Sequence, residues 1–339
     1  MENKNKNAST RKVIDTPASI VDRLEGPQAI SQGCFPLPTM SSKSVLVKVK
    51  AAALNFPDLL MTYGKYQHRP ELPFVPGMEG AGDVIETGSD VKNVKVGDRV
   101  MFKGKTGACA QHAVVTEENV TLAPESLTCE QAAAFAVTFQ TAYVSLVRRG
   151  RLQKGETVLI SGAGGGVGQA SVAVAKALGA TVIAAASSTE KLKIAAESGA
   201  DFLIDYSQSD WKENILRYTN GAGADLFLDP VGGQILETGI KALRRGGRVL
   251  LVGFASGAFG QVDLRDLRDR EINLIGVRAG EYGRRNPEAG RSAWLELVKL
   301  TEEAELKPYI GQVWKEDQVA EALTAMEQRQ VSGKQIVLI

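Results

Sequence analysis

The chain of 339 residues is poor in the side chains that build metal centres and disulfide frameworks, with two histidines and three cysteines. Cys34, Cys109 and Cys129 are scattered and odd in number, and no pair stands at metal-ligand spacing. His68 and His112 are far apart in sequence and read as surface or packing residues. Nothing in this set builds a zinc site, and unpaired thiols fit a reducing, cytoplasmic setting. Neither sign of charge dominates: 40 Lys and Arg face 39 Asp and Glu, a formal net charge of +1, with no long block of like charge. Nucleic acid and anionic membrane surfaces are therefore not expected partners. The apolar runs all fall far short of the ~20 residues that a helix needs to cross a bilayer. Met1 to Lys12 is polar and lysine-bearing without an apolar core, so it reads as a short disordered lead and not as a secretory signal.

What the chain does have is glycine, 35 residues of it, and the densest run is Ser161-Gly162-Ala163-Gly164-Gly165-Gly166-Val167-Gly168. The run lies between an apolar strand-like segment, Val158 to Ile160, and a helix-like one, Gln169 to Leu178, with a second strand at Thr181 to Ala185. That context lays a dinucleotide pyrophosphate on a helix N-terminus. Bare backbone approaches the phosphates closely, and unpaired helix N–H groups with the helix dipole favour their charge. The spacing departs slightly from the usual fingerprint, because Ala163 holds its first glycine position.

The end of the second strand indicates which dinucleotide. A free ribose 2′-hydroxyl is usually met there by Asp or Glu. This chain reads Ala186-Ser187-Ser188-Thr189-Glu190-Lys191. Hydroxyl donors and an ammonium suit a 2′-phosphate, which a carboxylate would repel. Ser187 and Ser188 have a plainer reading as N-caps of a helix from Glu190 to Ser198, and one serine can serve both roles. Glu190 is expected to start that helix facing solvent. NADPH is the expected cofactor.

From Val158 onward, strands and helices alternate. Val158–Ile160, Thr181–Ala185, Phe202–Ile204, Leu226–Leu228, Arg248–Val252 and Ile272–Val277 read as buried strands, which predicts a parallel sheet with helices on both faces. Ligands of such sheets sit at the strands' carboxyl ends, which singles out Tyr206, Gly253, Phe254, Val277 and Arg278. The first 130 or so residues read instead as all-β, with Val45, Val47 and Val49 alternating with Leu46, Lys48 and Lys50. His68 to Gly77, with three prolines, reads as an ordered loop over a cleft. After a helical segment at Ala293 to Glu303, the last strand, Gln335 to Ile339, is expected to rejoin the β part. The fold class is thus α/β, a doubly wound Rossmann sheet of residues 139–281 inserted into a mostly-β domain of residues 1–138 and 282–339.

Together, Ala53-Leu54-Asn55-Phe56-Pro57-Asp58, Gly77-Met78-Glu79-Gly80-Ala81-Gly82, Val96-Gly97-Asp98-Arg99-Val100, the loop Ala163 to Gly168 and Asp229-Pro230-Val231-Gly232-Gly233 resemble the medium-chain dehydrogenase/reductase superfamily. The resemblance is strongest to its zinc-independent NADPH:quinone oxidoreductase branch and covers nearly the whole chain beyond the lead. It implies that the mostly-β domain is a GroES-like catalytic domain, that Ser187, Lys191 and Tyr206 grip the 2′-phosphate, that Thr141 lies near the nicotinamide, and that Asn55, Asp58 and Tyr66 line the substrate cleft. Zinc alcohol dehydrogenases of the superfamily carry a ligand Cys where this chain has Asn55 and a ligand His where it has Met78. Losing two of about three ligands implies hydride transfer to an acceptor that is already electrophilic, a quinone or an α,β-unsaturated carbonyl. Some quinone reductases have a second tyrosine where this chain has Leu60. The resemblance also implies a homodimer, and pairing of the last Rossmann strand, Ile272–Val277, across a two-fold axis would remove an exposed edge.

Several assignments stay open on the sequence alone. Asn55 is a turn cap or a cleft residue. Asp58 and Glu79 are structural carboxylates or functional ones. Tyr66 donates a proton or walls the pocket, and Arg278 steadies a substrate oxygen or pairs at an interface. Reduction of an enoyl-CoA, with Arg284, Arg285 and Arg291 near the CoA phosphates, is a second enzymatic reading. An NADPH-binding structural or regulatory protein is a third.

Overall fold

A computed structural model describes residues 15–339; the polar lead read over residues 1–12 lies outside them. Six parallel strands form one sheet: Thr157–Ile160, Thr181–Ala186, Phe202–Asp205, Ala224–Asp229, Leu243–Leu251 and Asn273–Gly276. In space the third lies outermost, followed by the second, the first, the fourth, the fifth and the sixth. The strand order therefore reverses between the first and fourth strands, where a crevice opens at their carboxyl ends. Val158, Leu159, Ile160 and Val182 to Ala186 are buried on both faces of the sheet, so these strands read as continuous apolar runs without alternation. The fifth strand starts at Leu243, ahead of the expected Arg248. Leu243 already pairs with Ala224, and the register then shifts before Leu226 meets Arg248.

The second sheet has seven strands. Ser44–Leu54 is central, with Glu79–Thr87, Arg99–Lys103 and Val120–Leu122 following on one side, and His112–Thr116 also paired to it. Lys334–Leu338 pairs antiparallel with Ala51 to Leu54 and parallel with Ile310–Lys315. The end of the chain thus returns to the mostly antiparallel sheet. Val45, Val47 and Val49 are buried as their alternation predicts; Leu46 is buried as well.

Between the sheets runs the helix Ala136–Tyr143, which continues as a π-helical turn over Val144–Arg149. Phe135 and Phe139 stack at 4.6 Å, and Trp294 meets Phe135 edge-on. Burying side chains of this size is worth roughly 1.5–3 kcal/mol each. Trp294 belongs to the helix Pro287–Ala304, which begins earlier than the expected Ala293. Asn286 caps it, accepting from Ala289 N at 3.1 Å, with Pro287 in the first helical position.

One expectation for the loops is corrected. His68 to Gly77 does not line the cleft: Phe74 is pinned in a two-way backbone pairing with Val21 of the strand Asp15–Val21. The residues facing the cleft here are Lys65, Tyr66 and Gln67, then Met78.

Candidate active site

The carboxyl ends of the parallel strands and the seven-stranded sheet enclose a cleft of about 1860 Å³. Fifteen of the eighteen candidate site residues line it: Asn55, Tyr66, Thr141, Gly162, Gly165, Gly166, Val167, Gly168, Ser187, Lys191, Tyr206, Gly253, Phe254, Val277 and Arg278. Ala163, Gly164 and Asp58 lie behind its wall.

The glycine loop forms the middle of the cleft. The helix Gly166–Ala177 starts from an extended Gly165, leaving the N–H groups of its first turn without helical partners. Gly162 has φ +59°, a left-handed conformation that costs glycine little. At Gly168 a Cβ would stand 2.1 Å from the Gly162 carbonyl oxygen, so only glycine lets helix and strand pack this closely. At Gly165 a Cβ would meet nothing nearer than that same oxygen at 3.4 Å, so the backbone there is bare toward the cleft. The cradle fits a pyrophosphate. Gly168→Ala is expected to cost about 1–3 kcal/mol through overpacking and to weaken dinucleotide binding, read by thermal unfolding with and without NADPH.

At one end of the cleft lie Ser187, Lys191 and Tyr206. The two serines divide the roles left open above: Ser188 caps the helix Thr189–Glu197, accepting from Lys191 N at 3.4 Å, whereas Ser187 is exposed to the cleft. Glu190 faces solvent. Arg329, which sequence reasoning missed, lines the same end in a left-handed turn at φ +58°, donating to the Ala255 and Ser256 carbonyls at 3.3 and 3.1 Å. Burial raises the Tyr206 phenol, opposed by Ser187 and by the positive charge of Arg329.

At the other end the floor is a buried polar cluster. Lys334 Nζ donates to Asn55 Oδ1 at 2.7 Å, Glu79 Oε1 at 2.8 Å and the Leu54 carbonyl at 3.1 Å. Its side chain is 3% exposed, and that of Glu79 is 0% exposed. Asn55 Nδ2 donates to the same Glu79 oxygen at 3.0 Å and to the Ala53 carbonyl at 3.2 Å. The second Glu79 oxygen accepts from Val137 N at 2.7 Å. Every polar atom of the Asn55 side chain is thereby fixed. The Lys334 stem passes beneath Gly166, where a Cβ would meet it at 2.8 Å, and Gly333 N donates to the Gly164 carbonyl at 2.8 Å. One short segment thus ties the phosphate cradle to this floor.

Asp58 stands one layer deeper. Asn55 heads the helix Phe56–Thr62, and Asp58 accepts from Asn55 N at 2.9 Å and from Gly77 N at 3.0 Å. Burial pushes its carboxyl up to about 7, against those two hydrogen bonds. It fixes the two segments that carry Asn55 and Met78 and does not reach the cleft. Asp58→Asn would leave one of two buried N–H groups facing an amide NH2, an expected loss of about 1–3 kcal/mol, measured by urea unfolding.

Around the floor, Thr141 lines the cleft and its Oγ1 donates back to the Val137 carbonyl at 2.7 Å. Tyr66 is half-buried, and burial raises its phenol above the usual value. Arg278 reaches across to Gln67 and lies 3.8 Å from Glu281. Leu60 and Met78 complete an apolar part of the wall. Among the described residues, no group of three or more His, Cys, Asp or Glu side chains could hold a metal ion.

Two family models match this architecture, "Alcohol dehydrogenase GroES-like domain" over residues 41–177 and "Zinc-binding dehydrogenase" over residues 166–301. Quinone oxidoreductase-like protein 2 of Bos taurus is 35% identical over 318 residues, 94% of this chain and 90% of that protein. The chain belongs to the medium-chain dehydrogenase/reductase superfamily. Its place there is the quinone oxidoreductase-like branch, whose members are oxidoreductases that bind a nicotinamide cofactor. A quinone oxidoreductase from Pseudomonas syringae pv. Tomato DC3000 superposes with a TM-score of 0.85 at 31% identity, covering 96% of this chain and 100% of the other. The mycobacterial protein Rv1454c, solved as a complex with NADPH, gives 0.86 at 27% identity with the same coverages. The α/β fold, with a Rossmann sheet and a GroES-like part, is the one expected from the sequence.

Proposed function

We propose that this protein is an NADPH-dependent reductase that passes a hydride to a quinone or an α,β-unsaturated carbonyl without a catalytic metal. The observation that carries this reading is the buried floor. Asn55 and Met78 stand where zinc relatives have ligands, both polar ends of Asn55 are engaged, and an ammonium lies 2.7 Å from its oxygen. A dication does not fit beside Lys334 with this donor set. Without a Lewis acid, the acceptor must be conjugated and electrophilic on its own account.

The choice of cofactor is supported by Ser187, Lys191, Tyr206 and Arg329 at one end of the cleft, a set suited to a 2′-phosphate. When bound, the reduced nicotinamide supplies the hydride. The protein's part would be placement: the glycine cradle would hold the pyrophosphate, Thr141 and Asn55 would orient the ring, and Tyr66, Leu60 and Met78 would form a wall that excludes water. On this reading residues 139–281 carry the dinucleotide, and residues 1–138 with 282–339 carry the acceptor. Catalytic efficiencies for a quinone, a free enone and an enoyl-CoA, measured under identical conditions, test it. The expected order puts the quinone or the enone first. Saturable NADPH binding with negligible reduction of every acceptor would instead favour a regulatory protein.

The enoyl-CoA reading ranks second. Arg284 and Arg291 both line the cleft, but Arg284 is held by Glu281 at 2.5 Å and Arg285 lies 3.9 Å from the same carboxylate, which leaves Arg291 as the cation of that set without an ion pair among the described residues. A homodimer is part of the proposal. Asn273–Gly276 is the outermost strand of its sheet, with Leu274 exposed, and pairing across a two-fold axis would remove that edge. Light scattering is expected to give twice the chain mass. Among the described residues no helix is long and apolar enough to cross a membrane, and a cytoplasmic location is proposed with the rest.

A further inference from the structure

A second ammonium stands at the floor of the cleft, and none of the family positions accounts for it. Lys103 closes the strand Arg99–Lys103 directly opposite Glu79 in the antiparallel register. Its neighbour Gly104 donates to the Met78 carbonyl at 2.8 Å, so the side chain starts at the level of Asn55 and Met78. From there Nζ reaches Gln140 Oε1 at 2.7 Å and lies 4.4 Å from the centre of the Trp294 ring. Lys103, Gln140 and Trp294 all line the cleft, and Gln140 directly precedes Thr141. Both of its partners, an amide oxygen and an indole face, are neutral. The ammonium is therefore positioned to take a further acceptor from the cleft; Glu79, whose ion pair is with Lys334, acts on it only through space.

We propose that Lys103 is the proton donor of the reduction, hydrogen-bonding the oxygen of the bound quinone or enone and protonating it as the hydride arrives. The inference rests on the reductase reading above. In the step, the acceptor takes a hydride with its electron pair from the reduced nicotinamide. One N–H bond of Lys103 breaks and one O–H bond forms on the acceptor. The neutral amine is reprotonated by water through the cleft mouth, so the overall reaction consumes the reduced dinucleotide, one proton and the acceptor. Burial lowers the Lys103 ammonium to about 8, with the negative charge of Glu79 acting the other way. Of the two helices packed over it, one presents the neutral Gln140 and the other the neutral Trp294. A donor in this range is better matched to neutral pH than Tyr66, whose phenol burial pushes above its usual value.

Three proteins test the inference: the wild type, Lys103→Met and Lys103→Arg. Methionine keeps the stem packed on Trp294, and arginine keeps the charge but does not give up a proton at accessible pH. In the wild type, kcat should fall about tenfold per pH unit above pH ~8, as expected for loss of an essential acid. Both variants should lower kcat by about 10²–10⁴-fold, the usual worth of a positioned acid, and should lose that break while NADPH affinity stays unchanged. Binding of para-nitrophenolate, titrated by calorimetry on the NADPH-loaded protein, should weaken about tenfold or more in Lys103→Met through loss of a charge-assisted bond and persist in Lys103→Arg. Wild-type kcat and pH profile in Lys103→Arg would overturn the assignment, as would unchanged phenolate affinity in Lys103→Met. If the wild type reduces no quinone or enone, the functional reading falls; the phenolate titration still decides whether Lys103 binds an acceptor oxygen.

Discussion

Lys334→Met is expected to destabilise the protein by about 3–5 kcal/mol, the usual cost of leaving one partner of a buried ion pair uncompensated. The residue left behind would be Glu79, whose side chain is wholly buried. Its carboxylate would keep the N–H bonds from Asn55 and Val137 but lose its only ammonium partner among the described residues. The Asn55 amide oxygen would lose its donor at the same time. The double variant Lys334→Met/Glu79→Gln should recover part of the loss, because no net charge then remains buried. Urea unfolding of the wild type, Lys334→Met, Glu79→Gln and the double variant gives the coupling directly. Equal destabilisation by the single and double variants would mean that packing of the lysine stem under Gly166, and not the ion pair, dominates. The cluster's role on this account is orientation: a buried ion pair is weak evidence for stability as such, but this one leaves Asn55 a single conformation.

The second large effect concerns the choice of dinucleotide. Ser187→Asp combined with Lys191→Ala replaces a hydroxyl donor by a charge that repels the 2′-phosphate and removes the nearest ammonium. With each charge-assisted bond worth about 1.5–3 kcal/mol, kcat/KM for NADPH should fall by about 10²–10⁴-fold, while the value for NADH changes little. Arg329→Ala alone should reproduce a smaller share of the loss, since that guanidinium also holds the Ala255 and Ser256 carbonyls. A parallel fall for both dinucleotides would instead mean that the three side chains act on the shape of the cleft and not on the phosphate.

Much of this was legible in the sequence because the signals are local. The glycine loop announces itself by a strand before it and a helix after it, and the six parallel strands by their apolar runs. Ser187 and Lys191 follow from their place at the end of the second strand. The pair Ser187 and Ser188 could not be resolved from composition, because both lie where a cap or a phosphate ligand belongs; backbone geometry gives the cap to Ser188. Asn55 stands at the N-cap position of a helix, but its side chain makes no cap hydrogen bond and enters the floor cluster instead.

What was not legible depends on contacts between distant parts of the chain. Lys334 sits in a short C-terminal strand, where a lysine ordinarily blunts a sheet edge, and its partner Glu79 is 255 residues away. Lys103 ends a strand next to a glycine and reads locally as a solvated charge; its setting comes from Trp294 and Gln140 on two separate helices. Arg329 occupies a left-handed turn beyond a helix end, and nothing nearby in sequence links it to the end of the cleft lined by Ser187 and Lys191. Asp58 was placed among the cleft residues by resemblance, whereas its carboxyl is used up by two backbone N–H groups behind the wall. The spacing Asn55-x-x-Asp58 is that of a capping pair and was the local signal for this.

The most direct test of a metal-free, 2′-phosphate-gripping reductase is a single-turnover experiment. Chelator-treated protein loaded with NADPH is mixed with excess para-quinone, and dinucleotide oxidation is followed by absorbance. The account predicts one equivalent of NADPH oxidised per active site, at the same rate as in untreated protein. Tight NADPH binding without oxidation, or a rate abolished by the chelator and restored by zinc, would contradict it.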